Sequence, residues 1–454
     1  MPVMRMPVYL VALALLVGRH AQASVFDLYG MGARGIAFAG AMTATVDDFT
    51  ATFYNPAALT KHRDVRYGGN YLLTVPKLYV NRGLPVCQQS EAVCRGAYGG
   101  AYSSREARLP DSFSGFTLGW SIPFDLDIGR LGTGVALYVP TINLIRAEGI
   151  DPVTPQFYQY QNLPDQLVIL ISAAWAPVPW FSFGGGVQVL ADVGGKAEFE
   201  LDVANGAFDR SDISVEIVPK VAATAGLLFR PARGFDIGLS YRQELGLEFV
   251  LPARVDAGGI LVIGLDTGGS VLYTPHQIQF GASYRIAPIK LTVAAELDYA
   301  FWEKAPDPSP RVGVTVGGKL LDAVGLEGAL DIDGDKTVTL GFHDTVTSRV
   351  ALEWEALPWL DVRAGYAFRP SPAPKATGAY NYLDNDVHTI GFGVGFTFMD
   401  PLSVHDRPIG VSLGSQIGVL PKRTVVKASR NDPIGDLEHG GVLYSFSLSI
   451  SHSY

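Results

Sequence analysis

The last fourteen residues, GVLYSFSLSISHSY from Gly441 to Tyr454, put Val442, Tyr444, Phe446, Leu448, Ile450, His452 and Tyr454 on one side of an extended chain and five serines, Ser445 to Ser453, on the other. Side chains of a strand alternate between its two faces, so this segment predicts a strand with one oily and one hydroxylated face. The pattern recurs. Phe116, Leu118, Trp120, Ile122 and Phe124 alternate with Thr117, Gly119 and Ser121; Phe235, Ile237, Leu239 and Tyr241 with Asp236, Gly238, Ser240 and Arg242; Leu291 to Tyr299 and Leu360 to Phe368 repeat it, with Glu296, Asp298, Asp361 and Arg363 on the polar side. Repetition on this scale restricts the architecture: within lipid every backbone group must be paired internally, and the lumen of a closed barrel is where charges of both signs can be housed.

Composition agrees. Of 454 residues 17% are charged and 11% aromatic, with 51 glycines; soluble domains average roughly 25% charged. The mean hydropathy is only mildly positive, too low for a stack of membrane helices. The most apolar stretch, Leu167 to Val187, contains Pro177, Pro179 and three consecutive glycines, and each proline inside a helix costs ~3 kcal/mol. It is read as two strands joined by a short turn at Ala176–Pro179.

The alternation predicts about fourteen strands, near residues 65–80, 111–124, 132–142, 165–176, 180–196, 213–229, 235–250, 274–286, 290–303, 345–356, 359–370, 386–398, 408–420 and 441–454. Connections alternate short (177–179, 230–234, 287–288, 357–358) and long (81–110, 143–164, 251–273, 304–344, 421–440). Short turns belong on the periplasmic side and long loops outside. The fold class is therefore all-β: a transmembrane antiparallel β-barrel of about 14 strands.

The N-terminus adds export. Arg5, an apolar run from Pro7 to Gly18, and Ala21-Gln22-Ala23 before Ser24 form the three parts of a signal peptide. The run is shorter than the ~20 residues needed to cross a bilayer, so residues 1–23 are expected to be removed. Both arginines of that segment leave with it, so the remaining chain holds 33 Lys and Arg against 44 Asp and Glu. An acidic chain without basic clusters excludes nucleic acid as the expected partner. Cys87 and Cys94, the two cysteines, are expected to form a local disulfide in an exported protein, with two free thiols as the alternative.

Residues 24–64 do not read as strands. Their small residues and turn formers suit a plug folded into a lumen that fourteen strands leave open. Three domains are expected: a signal peptide at 1–23, an N-terminal hatch at 24–64 and the transmembrane β-barrel at 65–454.

With Gly35, Gly40, Ala41, Asp47-Asp48 and Asn55-Pro56-Ala57-Ala58-Leu59, residues 24–64 resemble the N-terminal hatch of the FadL/TodX family of outer-membrane transporters for hydrophobic compounds. Tyr138-Val139-Pro140, Thr274-Pro275-His276, Ser283-Tyr284-Arg285, Tyr299 with Trp302, Arg363-Ala364-Gly365-Tyr366 and the aromatic C-terminus extend the likeness over the mature chain. The resemblance implies passive uptake of long-chain fatty acids or related hydrocarbons in the outer membrane of a Gram-negative bacterium, by capture in extracellular loops and lateral diffusion where the third strand kinks near the hatch's Asn-Pro-Ala turn. It implies no cofactor and no enzymatic step. The partners it implies are a hydrophobic small molecule, outer-membrane lipid and lipopolysaccharide, and the barrel-assembly machinery acting through the C-terminal strand. A structural or adhesive barrel acting through its long loops is the alternative.

Candidate site residues follow. Asn55, Pro56 and Ala57 form the hatch turn, which is either a gating element or a structural turn. Pro140 has no backbone N–H, so it either interrupts the third strand's ladder or marks its end. Ile260, Leu261 and Ile263 lie in an apolar run, Gly259 to Leu265, read either as a capture surface or as an extension of a strand pair above the membrane. By strand parity Lys220, Arg242, Arg285, Arg349 and Arg363 point inward, but so do Glu216, Glu244, Glu296, Asp298, Glu353 and Asp361; such charges more often neutralise one another than await a ligand, which leaves fatty acid and hydrocarbon open.

Three motifs are decoys. Gly30 to Gly35 fits G-x-G-x-x-G without a preceding strand, and Ser412 of Gly410 to Gly414 fits G-x-S-x-G within an alternating strand rather than at a sharp elbow. Asp331, Asp333 and Asp335 resemble the start of a calcium loop, but Phe342 stands where its bidentate carboxylate belongs. No metal site is expected.

Overall fold

The computed structural model describes residues 25–82, 107–142, 152–160, 166–202, 207–257, 259–307, 311–326, 328–332, 340–378, 380–399, 407–429, 432 and 434–454. The expected signal peptide, Cys87, Cys94, Asp333 and Asp335 lie outside them.

Nineteen strands occur among the described residues: β1 (Arg66–Arg82), β2 (Phe113–Leu126), β3 (Gly129–Pro140), β4 (Gln156–Phe157), β5 (Val168–Val178), β6 (Phe181–Asp202), β7 (Ala207–Ala232), β8 (Phe235–Arg242), β9 (Leu245–Ala257), β10 (Leu261–Thr274), β11 (Gln277–Ile286), β12 (Leu291–Ala300), β13 (Arg311–Gly317), β14 (Thr345–Leu357), β15 (Leu360–Arg369), β16 (Tyr382–Leu383), β17 (Val387–Phe398), β18 (Ile409–Val425) and β19 (Leu437–Ser453). Fourteen of them close a ring in the order β1-β2-β3-β5-β6-β7-β8-β11-β12-β14-β15-β17-β18-β19. The last pairs back on the first from Arg66↔Ser453 to Arg82↔Leu437, and every neighbour in the ring is antiparallel. Closure leaves no strand edge for lipid to meet, the condition for a sheet to cross a bilayer.

The parity read from the sequence sets the two faces. Phe116, Leu118, Trp120, Phe280, Phe392 and Phe446 are exposed, whereas Thr117, Ser121, Ser445 and Ser447 are buried inside. Aromatic pairs band the wall near the periplasmic turns (Trp180–Phe229 at 5.5 Å, Phe235–Tyr284 at 6.3 Å, Trp359–Phe396 at 6.3 Å) and again near the extracellular strand ends (Tyr299–Phe301 at 4.8 Å, Tyr366 Oη to His388 Nδ1 at 2.8 Å). Such girdles mark the two interfaces of an outer-membrane barrel. His452 departs from the expected pattern: it falls on the oily side but is 8% exposed, because the ring of Tyr67 lies 5.3 Å from its own.

The seventh expected strand, 235–250, is corrected. β8 stops at Arg242, and β9 departs from the wall after Gln243-Glu244 to pair in parallel with β6 from Ala197↔Ala253 to Glu200↔Asp256. β5 begins opposite Leu190, so the upper part of β6 has an edge free for β9. β10 and β13 extend this sheet, and the run Gly259 to Leu265 is therefore a turn and strand rather than an open loop.

Residues 25–62 are largely buried and pack against inward-facing positions of the ring through short helices at Phe26–Tyr29, Gly32–Ala37 and Ala51–Tyr54 and a 3₁₀ turn at Pro56–Thr60. Asn55 caps that turn, its Oδ1 accepting from Ala57 N at 3.1 Å, with Pro56 at the first position, where a missing N–H costs nothing. The ring receives the segment on glycine. A Cβ at Gly365 would lie 2.4 Å from Phe38 C, at Gly414 2.2 Å from Ala33 O, at Gly132 2.4 Å from Leu59 O and at Gly238 2.4 Å from Thr43 O. Glycine weakens a strand, and it occurs here where another backbone approaches closely. The serine face of β19 joins this seat: Ser449 Oγ accepts from Ala33 N at 2.8 Å.

Candidate functional site

The space inside the ring is bounded below by the N-terminal segment and above by loops. β4 and β16 pair in parallel, tying residues 152–160 to 370–386. Tyr158, Tyr273, Trp302, Phe342 and Tyr382 close over them as a second buried cluster, with Tyr158–Phe342 at 5.4 Å and Tyr273–Trp302 at 5.9 Å. Arg369 holds the lid from within, donating to both oxygens of Asp384 at 3.1 Å and to Tyr160 Oη at 2.7 Å. Lys427 Nζ, fully enclosed, donates to Gly378 O at 2.6 Å and Asn381 Oδ1 at 2.7 Å.

Between lid and N-terminal segment lies a chamber lined by Leu28, Phe53, Trp302, Arg242, Arg349 and Arg369, among others. Its cations are matched by carboxylates of the same chain. Arg242 meets Asp27 at 2.6 Å and lies 4.2 Å over the ring of Phe53; Arg349 meets Glu296 at 2.9 Å and Asp298 at 3.0 Å, while Glu296 also accepts from Thr43 N at 2.8 Å. Burial pushes the hydroxyls of Tyr29 and Tyr158 well above their ordinary range, so both stay protonated and can donate or accept.

A second charge network lies toward the periplasmic turns, around a cavity of about 370 Å³. Arg34 bridges Glu353 at 2.9 Å and Asp47 at 3.0 Å, Arg363 meets Glu353 at 2.7 Å, and Arg66 meets Asp47 at 3.2 Å. Glu353 thus joins the N-terminal segment to the wall. Glu353→Gln leaves two guanidinium groups facing an uncharged amide; removing one partner of a buried pair costs about 3–5 kcal/mol, reduced here because Arg34 keeps Asp47 and Arg363 keeps Asp361. The variant is expected to expose residues 25–64 to protease at lower urea concentration while the barrel keeps its heat-modifiable gel migration.

The sequence-derived site residues are distributed unevenly. Asn55 lies against the wall, Nδ2 donating to Thr43 O at 2.9 Å and to Leu227 O of β7 at 3.1 Å, and Ala57 O accepts from Ser182 Oγ of β6 at 3.0 Å. The Asn-Pro-Ala turn thus meets β6 and β7, while β3 is reached by Leu59 at Gly132 and Gly134, by Thr52 at Gly134 and by Thr60, whose O accepts from Arg130 Nη1 at 3.2 Å. Pro140 is the last residue of β3, opposite Gly115, and pairing runs without a register shift from Gly129 to Pro140 against β2 and from Arg130 to Tyr138 against β5. The expectation of a proline-driven interruption inside β3 is corrected accordingly: Thr141 N still donates to Ser114 O at 2.9 Å beyond it, and the ladder with β5 has already ended at Tyr138, so the missing N–H breaks no pairing. Lys220 is on the inner face of β7, opposite Leu190. Ile260 and Ile263 are exposed on the extracellular sheet, with Leu261 between them. Asp331 Oδ1 accepts from Val316 N at 2.9 Å, and Ser412 Oγ accepts from Arg363 Nη1 at 3.0 Å. Asp27, Tyr158, Trp302, Arg369 and Asp384 were not singled out as candidates; only parity could have flagged Arg369, and the others lie off the ring's strands, where no period applies.

No family model matches the chain. Alkane uptake protein A of Marinobacter nauticus is 21% identical over 453 residues, spanning 93% of this chain and 90% of that protein. Among solved structures, a Pseudomonas aeruginosa FadL homologue superposes with a TM-score of 0.59 at 13% identity, covering 96% of this chain and 99% of its own. The P. putida toluene transporter TodX follows with a TM-score of 0.52 at 15% identity, covering 94% and 99%. Ring closure, strand number, lipid-facing belt and these likenesses agree: the chain has the fold of the FadL and TodX channels, a fourteen-stranded antiparallel barrel of the outer membrane.

Proposed function

We propose that the protein is a passive outer-membrane transporter for hydrophobic small molecules, hydrocarbons or long-chain fatty acids, with no chemical step. The observation that carries this reading is the partly apolar chamber enclosed between an aromatic lid and an N-terminal segment seated on glycine inside a lipid-embedded barrel. The relatives named for alkane and toluene transport support it. In this reading residues 1–23 are removed on export, residues 24–64 act as a hatch, and the C-terminal strand engages the assembly machinery. Substrate settles on exposed Ile260, Ile263 and Leu265 amid lipopolysaccharide, passes the lid and displaces the hatch. It leaves sideways at the extracellular end of β2 and β3. There Pro140 faces Gly115, and the ring of Tyr138 fills the room a side chain at Gly115 would need.

Uptake of radiolabelled toluene and oleate by liposomes carrying the intact protein tests the reading; folded protein that moves neither compound overturns it. Within such an assay, replacing Ile260 and Ile263 by Asp removes about 1.5 kcal/mol of apolar contact. The half-saturating concentration should rise about tenfold, with the maximal rate unchanged.

A further inference from the structure

The chamber is bordered by residues with buried polar atoms that no group of the described residues satisfies. Tyr29 Oη, Gln279 Oε1 and Arg242 Nη1 have no hydrogen-bond partner among the described residues, and their residues border a cavity of about 60 Å³. Tyr158 Oη, Gln159 Nε2 and Asp298 Oδ1 are in the same position, with their residues bordering a second cavity of about 40 Å³. All six residues are more than nine-tenths buried. Leu28, Thr347, Arg349 and Arg369 line both cavities, so the two adjoin. An unsatisfied buried donor or acceptor costs about 1–3 kcal/mol, and native proteins hold few of them. Six around one chamber describe a site built for a polar guest.

The chemistry of the six narrows that guest. Gln159 Nε2 and Arg242 Nη1 donate, Gln279 Oε1 and Asp298 Oδ1 accept, and the two tyrosine hydroxyls do either. Arg242, Arg349 and Arg369 are each already paired with a carboxylate. A carboxylate guest would add an unmatched negative charge beside Asp298 and could only accept. A hydrocarbon would leave all six unmet. A hydroxyl group donates and accepts without charge, and Leu28, Phe53 and Trp302 supply apolar surface for the rest of the molecule.

We propose that this chamber is a binding site for the head of an uncharged hydroxylated hydrophobe, a phenol or small alcohol, in preference to the matching hydrocarbon or carboxylate. The proposal rests on the transport reading and names a substrate class within it.

Titration calorimetry of the purified intact protein at pH 7.5 with p-cresol, p-xylene and p-toluate tests it, because the three differ at one substituent and only the last is charged. The expected result is p-cresol binding about tenfold or more tighter than either of the others, as a hydrogen-bonding site discriminates against analogues that cannot bond. Gln279→Leu on β11 and Gln159→Leu in the lid loop, each checked for heat-modifiable migration, should reduce that preference to within about twofold while p-xylene binds as before or better. Equal affinity for p-cresol and p-xylene, or tightest binding of p-toluate, overturns the proposal. So does a preference that survives both substitutions. Liposomes that take up p-xylene without any p-cresol preference overturn this proposal alone, whereas folded protein that transports none of the three overturns the transport reading beneath it.

Discussion

Deletion of residues 24–64 is expected to convert the protein into an open, ion-conducting pore in planar bilayers, whereas the intact chain stays closed. A ring of fourteen strands is wide enough to leave a lumen, and residues 25–62, from Val25 at 1% exposure to Leu59 at 0%, are what packs against its inner wall over most of the circumference. The wall does not need them for its backbone pairing, since its fourteen antiparallel ladders close without a contribution from that segment. Barrel migration on a gel should therefore persist while conductance appears. Folded deletion protein with the conductance of the intact chain would count against a plugging role.

The second large effect is expected from single side chains added to the glycine seat. In Gly365→Val the new Cβ would lie 2.4 Å from Phe38 C and 2.7 Å from Ala37 O, both backbone atoms that no rotamer change can move aside. Overpacking of this kind costs about 1–3 kcal/mol. It falls on the docking of the helix Gly32–Ala37 rather than on β15, whose lipid-facing residues and ladder are untouched. Gly365→Val is expected to conduct in bursts and to expose the N-terminal segment to protease. Gly185→Val, where the nearest atom would be Thr224 O at 3.5 Å, is the matched control and should remain closed. Equal behaviour of the two variants would show that glycine in this wall is not there to seat the segment.

The strands were legible because their cause is local. The serine stripe of residues 445–453 and the proline-punctuated run 167–187 each predicted its element to within a few residues, since period-two alternation between oil and polar lumen is written residue by residue. The even number, the short-long alternation of turns and the inward charges followed from the same rule. Where a strand left the wall, the rule had nothing to say. Residues 245–257 alternate as well as any membrane strand, yet they pair in parallel with β6 because that edge is free above Leu190, a fact set more than fifty residues away. Pro140 was legible as a residue without a donor, but whether it sits within or at the end of a ladder depends on how far β2 and β5 run beside it.

The candidate site divides the same way. The inward parity of Arg242, Arg349 and Arg363 could be read in advance, and their mutual neutralisation expected from it. Glu296 and Glu353 share that parity and stand directly opposite Arg349 and Arg363 on neighbouring strands, whereas Asp27 could not be paired with Arg242, because an ion pair between the N-terminal segment and the wall joins residues with no common period. The sequence by itself determined that this chain is a lipid-facing barrel with a polar lumen, because side-chain alternation and export are local properties. Only the tertiary structure decided that glycines around the wall seat the N-terminal segment, that loop aromatics pack into one buried cluster, and that the residues of six unsatisfied polar atoms border one chamber, because each depends on segments far apart in the sequence that folding brings together.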